Sequence, residues 1–190
     1  MNPIKAAAIL AASVAVLPAA AALETYTVDP RHTLPTYEVL HLGYSMQRGR
    51  FNKTTGKITL DTAAKKGSAD IAMETASVSS GIDKLDEHLR SEDFLGAAKN
   101  PTITFKSTDF TFDGDKVKSA RGDLTLNGIT RPVTFTANVF LCGPHPMTKK
   151  KQCGADLQAT IKRSDFGMKY ALPALGDEVT LRVPVEATLD

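Results

Sequence analysis

The chain has 190 residues, with 23 Lys and Arg against 21 Asp and Glu, and a formal charge of +2 is too small to create a general nucleic-acid-binding field. Hydrophobic residues at 42% and charged residues at 23% exclude a disordered, collagen-like or polytopic membrane chain and point to one soluble domain. Aromatics are only 6%, with no Trp, so neither a base-stacking platform nor an aromatic sugar-binding wall is well supplied and aliphatic side chains must do most of the packing.

The N-terminus carries one cation, Lys5, then an apolar run from Ala6 to Leu17, then Pro18 and a small-residue end in which Ala20 and Ala22 form an A-x-A pattern. The run is shorter than the roughly 20 residues of a membrane span. It predicts a secretory signal over residues 1–22, cut between Ala22 and Leu23, a single mature domain over 23–190 and no stable membrane anchor after cleavage. Export to the periplasm sets the reading of Cys142 and Cys153, the two cysteines of the chain, as a disulfide. A metal site from Cys142, His145 and Cys153 is the competing reading, but it has three local ligands and no C-x-x-C or H-E-x-x-H spacing accompanies it.

Past Leu23 the pattern has a period of two. Short alternating runs pass through Tyr37, Val39 and His41, through Ile58 and Leu60, through Ala69, Ile71 and Met73, through Ile103 and Phe105, through Phe110 and Phe112, and through Leu124 and Leu126. Longer ones follow: Val133, Phe135, Ala137 and Val139, then Cys153 to Ile161, then Val179 to Leu189. Each predicts a strand with one apolar and one wet face, eight or nine in all. Asp113-Gly114 and Asn127-Gly128 are turn dipeptides that make neighbouring strands antiparallel.

One segment breaks the pattern. From Asp83 to about Ala98, Leu85 and Leu89 are four apart, Asp86 and Arg90 have ion-pair spacing, and Asn100-Pro101 ends the run, which predicts a helix or broken helix pair with Ser91 as a cap between. A one-sided antiparallel sheet must bury its apolar face against a second sheet or by closing on itself. Periodicity alone leaves sandwich and barrel open. An eight-stranded barrel is just wide enough to be filled by side chains or to hold one ligand. Alanines at 69, 137, 155, 159 and 187 would fill it poorly, unless Phe and Leu opposite compensate.

Five stretches carry a resemblance: Tyr26 to Thr33, His41 to Asp61, Asp83 to Thr108, Gly122 to Val133 and Ala159 to Leu181. In this order and spacing the chain resembles the YceI-like family of secreted, lipocalin-like lipid-binding proteins over essentially the whole mature chain. The resemblance implies an all-β fold, an extended antiparallel lipocalin-like barrel of about eight strands with one helical segment, and a long apolar cavity. It also implies binding of a long-chain isoprenoid or related lipid without catalysis and without a cofactor, and it is compatible with a homodimer, for which no motif speaks. Projected onto the apolar face, the predicted ligand-binding set is Tyr37, Val39, His41, Phe51, Ile58, Leu60, Ile71, Met73, Phe105, Leu126, Phe135, Val139, Leu157, Ile161, Phe166, Leu181 and Val183. Two departures from the family pattern stand out. Leu34-Pro35-Thr36-Tyr37 places a proline at the start of a strand and a tyrosine where members usually carry Phe, and Pro184 predicts a break or a free backbone edge in the last strand.

Two other readings stay open at this stage. His41, with nearby acids, is the one candidate for an enzyme acting on such lipids, and a solid barrel would make the protein an interaction module. Asp165-Phe166-Gly167 spells the short kinase metal motif without its companions. It is read as structural, with Asp165 capping a turn. Arg48, Arg50 and Lys53 flank Phe51 and are either a wet strand face or a contact for an anionic headgroup.

Overall fold

The computed structural model describes residues 23–190, so the signal and its cleavage point lie outside the described residues. Eleven strands follow in chain order: β1 Glu24–Val28, β2 Thr36–His41, β3 Ser45–Phe51, β4 Thr54–Asp61, β5 Lys66–Glu74, β6 Val78–Ser79, β7 Thr102–Asp113, β8 Lys116–Leu126, β9 Ile129–Pro144, β10 Lys151–Lys162 and β11 Leu175–Leu189. All pair antiparallel in one sheet, and eight of them, β1-β4-β5-β7-β8-β9-β10-β11, close on β1 as a barrel. Closure resolves the choice between sandwich and barrel, and within the eight closed strands it removes the edges that an open sheet would expose.

The long strand β11 serves two walls. Its C-terminal residues Ala187–Leu189 pair with β1, and its N-terminal half pairs with β2 through Val179–Arg182. Beyond β2 the sheet continues through β3 and the short β6. The barrel therefore has a lower half closed by β1 and an upper half in which β2, β3 and β6 replace it. Between these pairings, Val183–Glu186 is matched on β10 alone, with Pro184 opposite Asp156. The missing N–H of Pro184 falls in this hand-over, where the free edge predicted for it lies. Thr33, completely buried, fills the gap as a substitute ladder: the Glu186 N–H donates to its Oγ1 at 3.1 Å and that hydroxyl donates to the Glu186 carbonyl at 3.3 Å. At the other end of the same chain stretch, β2 begins at Thr36, immediately after Pro35.

Local chemistry sets the rest of the frame. The β8–β9 turn is Asn127-Gly128, both with positive φ, as a two-residue hairpin requires. The helical segment expected over 83–98 is an α-helix, α1, over Asp83–Arg90, followed by turns that bury Phe94, Leu95 and Ala97. Ser91 ends the helix instead of linking two, with its N–H and hydroxyl both donating to the His88 carbonyl. Asp86 and Arg90 turn away from each other toward the preceding segment. Asp86 accepts the Ser80 N–H and hydroxyl, both at 2.6 Å, while Arg90 donates to the carbonyls of Ala76 and Val78. The turn expected to be capped by Asp165 is instead capped by Asp177, which accepts the Ser164 N–H at 2.9 Å and hydroxyl at 2.8 Å; Asp165 is exposed.

A second correction concerns β9. Val139 pairs with Asp156 and Ala137 with Leu157, so Asn138 is an extra residue that forms a bulge. The alternation reverses there. Val139 is 60% exposed and Leu141 72% exposed, on the outer face, and Phe140 turns inward in place of Val139.

The disulfide joins directly opposed residues. Cys142 and Cys153 are register partners on β9 and β10, with Cα atoms 4.1 Å apart. The metal reading fails, since both sulfurs are in the bond and His145 Nδ1 accepts the N–H groups of Met147 and Thr148 within its own turn.

Candidate functional site

The barrel holds two adjacent chambers, of about 120 Å³ below and about 620 Å³ above. They share Phe51, Met73, Leu124 and Leu181, which form the neck between them. The lower chamber exists because small residues occupy inward positions: Ala69, Ala120, Ala155 and Ala187 line it among larger side chains. Its few polar side chains have partners. The Tyr26 hydroxyl donates to Glu24 at 2.6 Å, the Thr36 hydroxyl to the Arg182 carbonyl at 3.3 Å, and Thr33 bonds Glu186 as above. A carboxylate beside the buried Tyr26 ring pushes its ionisation, already raised by burial, still higher. Lower-chamber walls thus offer a guest hydrocarbon contacts and no free hydrogen-bonding group.

Residues of β2, β3, the α1 region and the segment Met168–Leu175 supply much of the lining of the larger upper chamber. Its walls are Tyr37, Val39, Leu126, Ile161 and Leu175 from the sheet, Ile82, Leu85 and Leu89 from the α1 region, and Phe94, Met168 and Tyr170 from the loops. An aromatic cluster closes one side of its mouth. His88, Phe94 and Tyr170 meet edge to face, with centroids 4.9 to 5.4 Å apart. On the rim, Leu42 and Ile82 are exposed.

Arg163 holds the mouth loop in place. It is only 3% exposed, yet among the described residues no carboxylate forms an ion pair with it; its guanidinium donates to four main-chain carbonyls, those of Met168, Tyr170, Leu175 and Gly176, at 2.8 to 3.0 Å. Burial lowers its affinity for the proton, and the nearby Asp177 charge opposes that shift. Four of the five N–H groups of the guanidinium hold the chain from Met168 to Gly176 against the end of β10, which makes Arg163 a structural cation.

Fifteen of the residues picked from sequence border these chambers. Ile58, Leu60, Ile71, Phe105, Phe135, Leu157 and Val183 lie in the lower one, Tyr37, Val39, His41, Leu126 and Ile161 in the upper, and Phe51, Met73 and Leu181 at the neck. Two do not. Val139 is outside because of the bulge, and Phe166 is fully buried in the core without bordering either chamber. Phe110, read from its alternation with Phe112 as part of an apolar strand face but absent from the predicted set, also lines the lower chamber, and alternation did not anticipate Phe140 there or Phe94 and Tyr170 in the upper. Phe110 and Phe140 follow bulges that shift the phase of β7 and β9, while Phe94 and Tyr170 come from loops, which have no period to read.

His41, the one enzyme candidate, is an exposed rim residue at the end of β2, and no hydrogen bond joins its ring to an acid among the described residues. Among the described residues no group of three or more His, Cys, Asp or Glu side chains is placed to hold a metal ion. No described helix is long and apolar enough to cross a membrane.

The family model for the YceI-like domain matches residues 26–187. A UPF0312 protein of Pseudomonas aeruginosa is 40% identical over 166 residues, 85% of each chain. Among solved structures, BcnA of Burkholderia cenocepacia superposes with a TM-score of 0.71 at 24% identity, covering 85% of this chain and 99% of that one. A polyisoprenoid binding domain from Saccharophagus degradans does so with a TM-score of 0.62 at 13% identity, covering 87% and 98%; at these identities both likenesses speak to the fold. The model match and the close relative together place this chain in the YceI-like family.

Proposed function

We propose that the protein is a non-catalytic periplasmic carrier that takes up a long-chain isoprenoid or related amphiphilic lipid, with its tail in the lower chamber and its head in the upper one. The observation that carries this reading is the lower chamber itself, a hydrocarbon-lined space whose polar groups are already bonded within the protein. At roughly 0.8 kcal/mol per buried CH₂, ten chain carbons supply about 8 kcal/mol, near micromolar affinity before ordering costs. A chain needs little more than such a tube and a wider mouth. The Saccharophagus degradans domain of the same fold, described as polyisoprenoid binding, supports the ligand class. An open cavity favours a carrier over a solid interaction module.

The test is to purify the protein from the periplasm, extract it with organic solvent and identify the extract by mass spectrometry. One long-chain amphiphile per chain is the expected result. Absence of stoichiometric lipid, together with no uptake of polyprenyl or quinone probes, would overturn the reading.

A further inference from the structure

We propose that the tip of the β2–β3 hairpin docks the protein on the surface of an anionic lipid bilayer. The proposal takes its purpose from the carrier reading and its evidence from the hairpin. The turn is Leu42-Gly43, with φ of 52° and 77°, closed by the Tyr44 N–H on the His41 carbonyl at 2.9 Å. The β8–β9 turn has the same geometry, with φ of 51° and 73°, and fills its first position with Asn127. Asparagine tolerates a left-handed backbone, whereas leucine is disfavoured there. Packing does not ask for leucine either. Leu42 is 50% exposed, and a Cβ added at Gly43 would meet nothing within 4 Å. The neighbours repeat the choice: Tyr44 is 88% exposed, and Leu40 and Met46, opposed across the two strands, are exposed as well. Leu42 borders the upper chamber together with the exposed Ile82 and Leu85, so the apolar tip adjoins that chamber.

Charge fits the same partner. From Val39 to Leu60 the chain holds no Asp or Glu, and from Phe166 to Gly176 it holds Lys169 and no acid. Met46, Arg48 and Arg50 alternate along β3 and so share one face, each about 7 Å from the next along the strand. Arg48 donates through Nε to Glu38, a carboxylate shared with Arg182, and its terminal nitrogens have no hydrogen-bond partner among the described residues. Arg50 is exposed and forms no ion pair among the described residues. The exposed side chains of α1 carry both signs, Asp83 and Glu87 beside Lys84, so the attraction lies with the hairpin. An apolar tip that enters a bilayer by about 5–10 Å, with cations behind it to meet the phosphates, is the arrangement of an interfacial anchor. An exposed tyrosine suits that boundary, its ring on the apolar side and its hydroxyl on the wet one. Two copies of the tip set against each other would instead bring like charges together.

The experiment measures co-flotation of the full mature chain with vesicles of phosphatidylethanolamine and phosphatidylglycerol, and with vesicles of phosphatidylcholine alone. The wild type is expected to float with the anionic vesicles, less with the neutral ones, and less with either as apolar side chains leave the tip. Leu42→Asn should lower partition about five- to tenfold while melting at the same temperature as the wild type or higher, since asparagine suits the turn. Arg50→Gln should lower partition to the anionic vesicles about fivefold and leave the neutral ones unchanged. Tyr44→Ser, whose side chain does not border the chambers, should lose flotation yet take up a fluorescent fatty acid from vesicle-free solution as the wild type does. A wild type that takes up the fatty acid but floats with neither vesicle overturns the docking and leaves the carrier reading standing. Flotation unchanged in both Leu42→Asn and Tyr44→Ser does the same, as does a wild-type dimer, unable to float, that these two substitutions dissociate. Flotation as expected, with no lipid taken up by the wild type, supports the docking and overturns the carrier reading.

Discussion

The lower and upper halves of the barrel are made from the same strands but solve different problems. Below, β1 closes the wall, the disulfide pins the β9–β10 hairpin, and the chamber is narrow and free of unpaired donors. Above, the same β11 turns to β2, the wall opens, and order depends on single polar anchors, Arg163 under the mouth loop and Asp86 under the start of α1. The contrast teaches that one set of strands can build a firmly bonded wall at one end and a mouth held by few bonds at the other, the arrangement that the proposed carrier role uses. Local stability follows such differences in packing and bonding.

The sharpest way to break the contrast is to remove the upper anchor. Arg163→Met should cost about 3–5 kcal/mol, because four carbonyls lose a charged donor in a place with little water. Amide exchange should speed up from Met168 to Asp177 while β1 and the lower ends of β9 and β10 keep their protection. The mirror experiment is the double substitution Cys142→Ser and Cys153→Ser, expected to cost about 2–3 kcal/mol for a loop of this length. In that case the loss of protection should centre on the lower hairpin. If both variants lose protection uniformly, the two halves are not separate units.

Acid should act through anchors in both halves. The Arg31 N–H and side chain hold Asp29 well below the ordinary carboxylate range, and the Ser164 N–H and hydroxyl lower Asp177. Carboxyls lowered in the folded state give stability that is present above their unfolded values, near pH 4, and that is lost as pH falls through the folded ones. Thermal melting should therefore stay nearly constant from neutral pH to about 5 and decline below about 4. A decline beginning near pH 6 would contradict this assignment. Thr33→Val, at the hand-over between the halves, should cost the least, about 1 kcal/mol, seen as a small shift in denaturant midpoint.

Much of this was legible in the chain. Period-two alternation carries a strand's facing, and closure follows from a one-sided sheet with no partner layer, so the barrel and most of its lining could be projected from residues such as Ile58, Leu60, Ile71 and Val183. Pro184 marked its own free edge. What could not be read were events of one residue. Asn138 has no composition that announces a bulge, yet it turns Val139 out and Phe140 in. Choice of cap was equally hidden, because Asp165 and Asp177 differ in tertiary position and not in local pattern. Loop residues such as Tyr170 reach the chamber through contacts that no period encodes.

The central claim is that the two chambers form one tube that receives a single chain tail first. It is tested most directly by titrating saturated amphiphiles of increasing length into the wild type and Ala155→Phe, which places a ring in the lower chamber. Affinity should rise about three- to fourfold per methylene until the lower chamber is filled and then level off. In Ala155→Phe the plateau should come at shorter chains, with the affinity of the shortest chains unchanged. An affinity independent of chain length, or a plateau that stays in place in Ala155→Phe, would contradict the account.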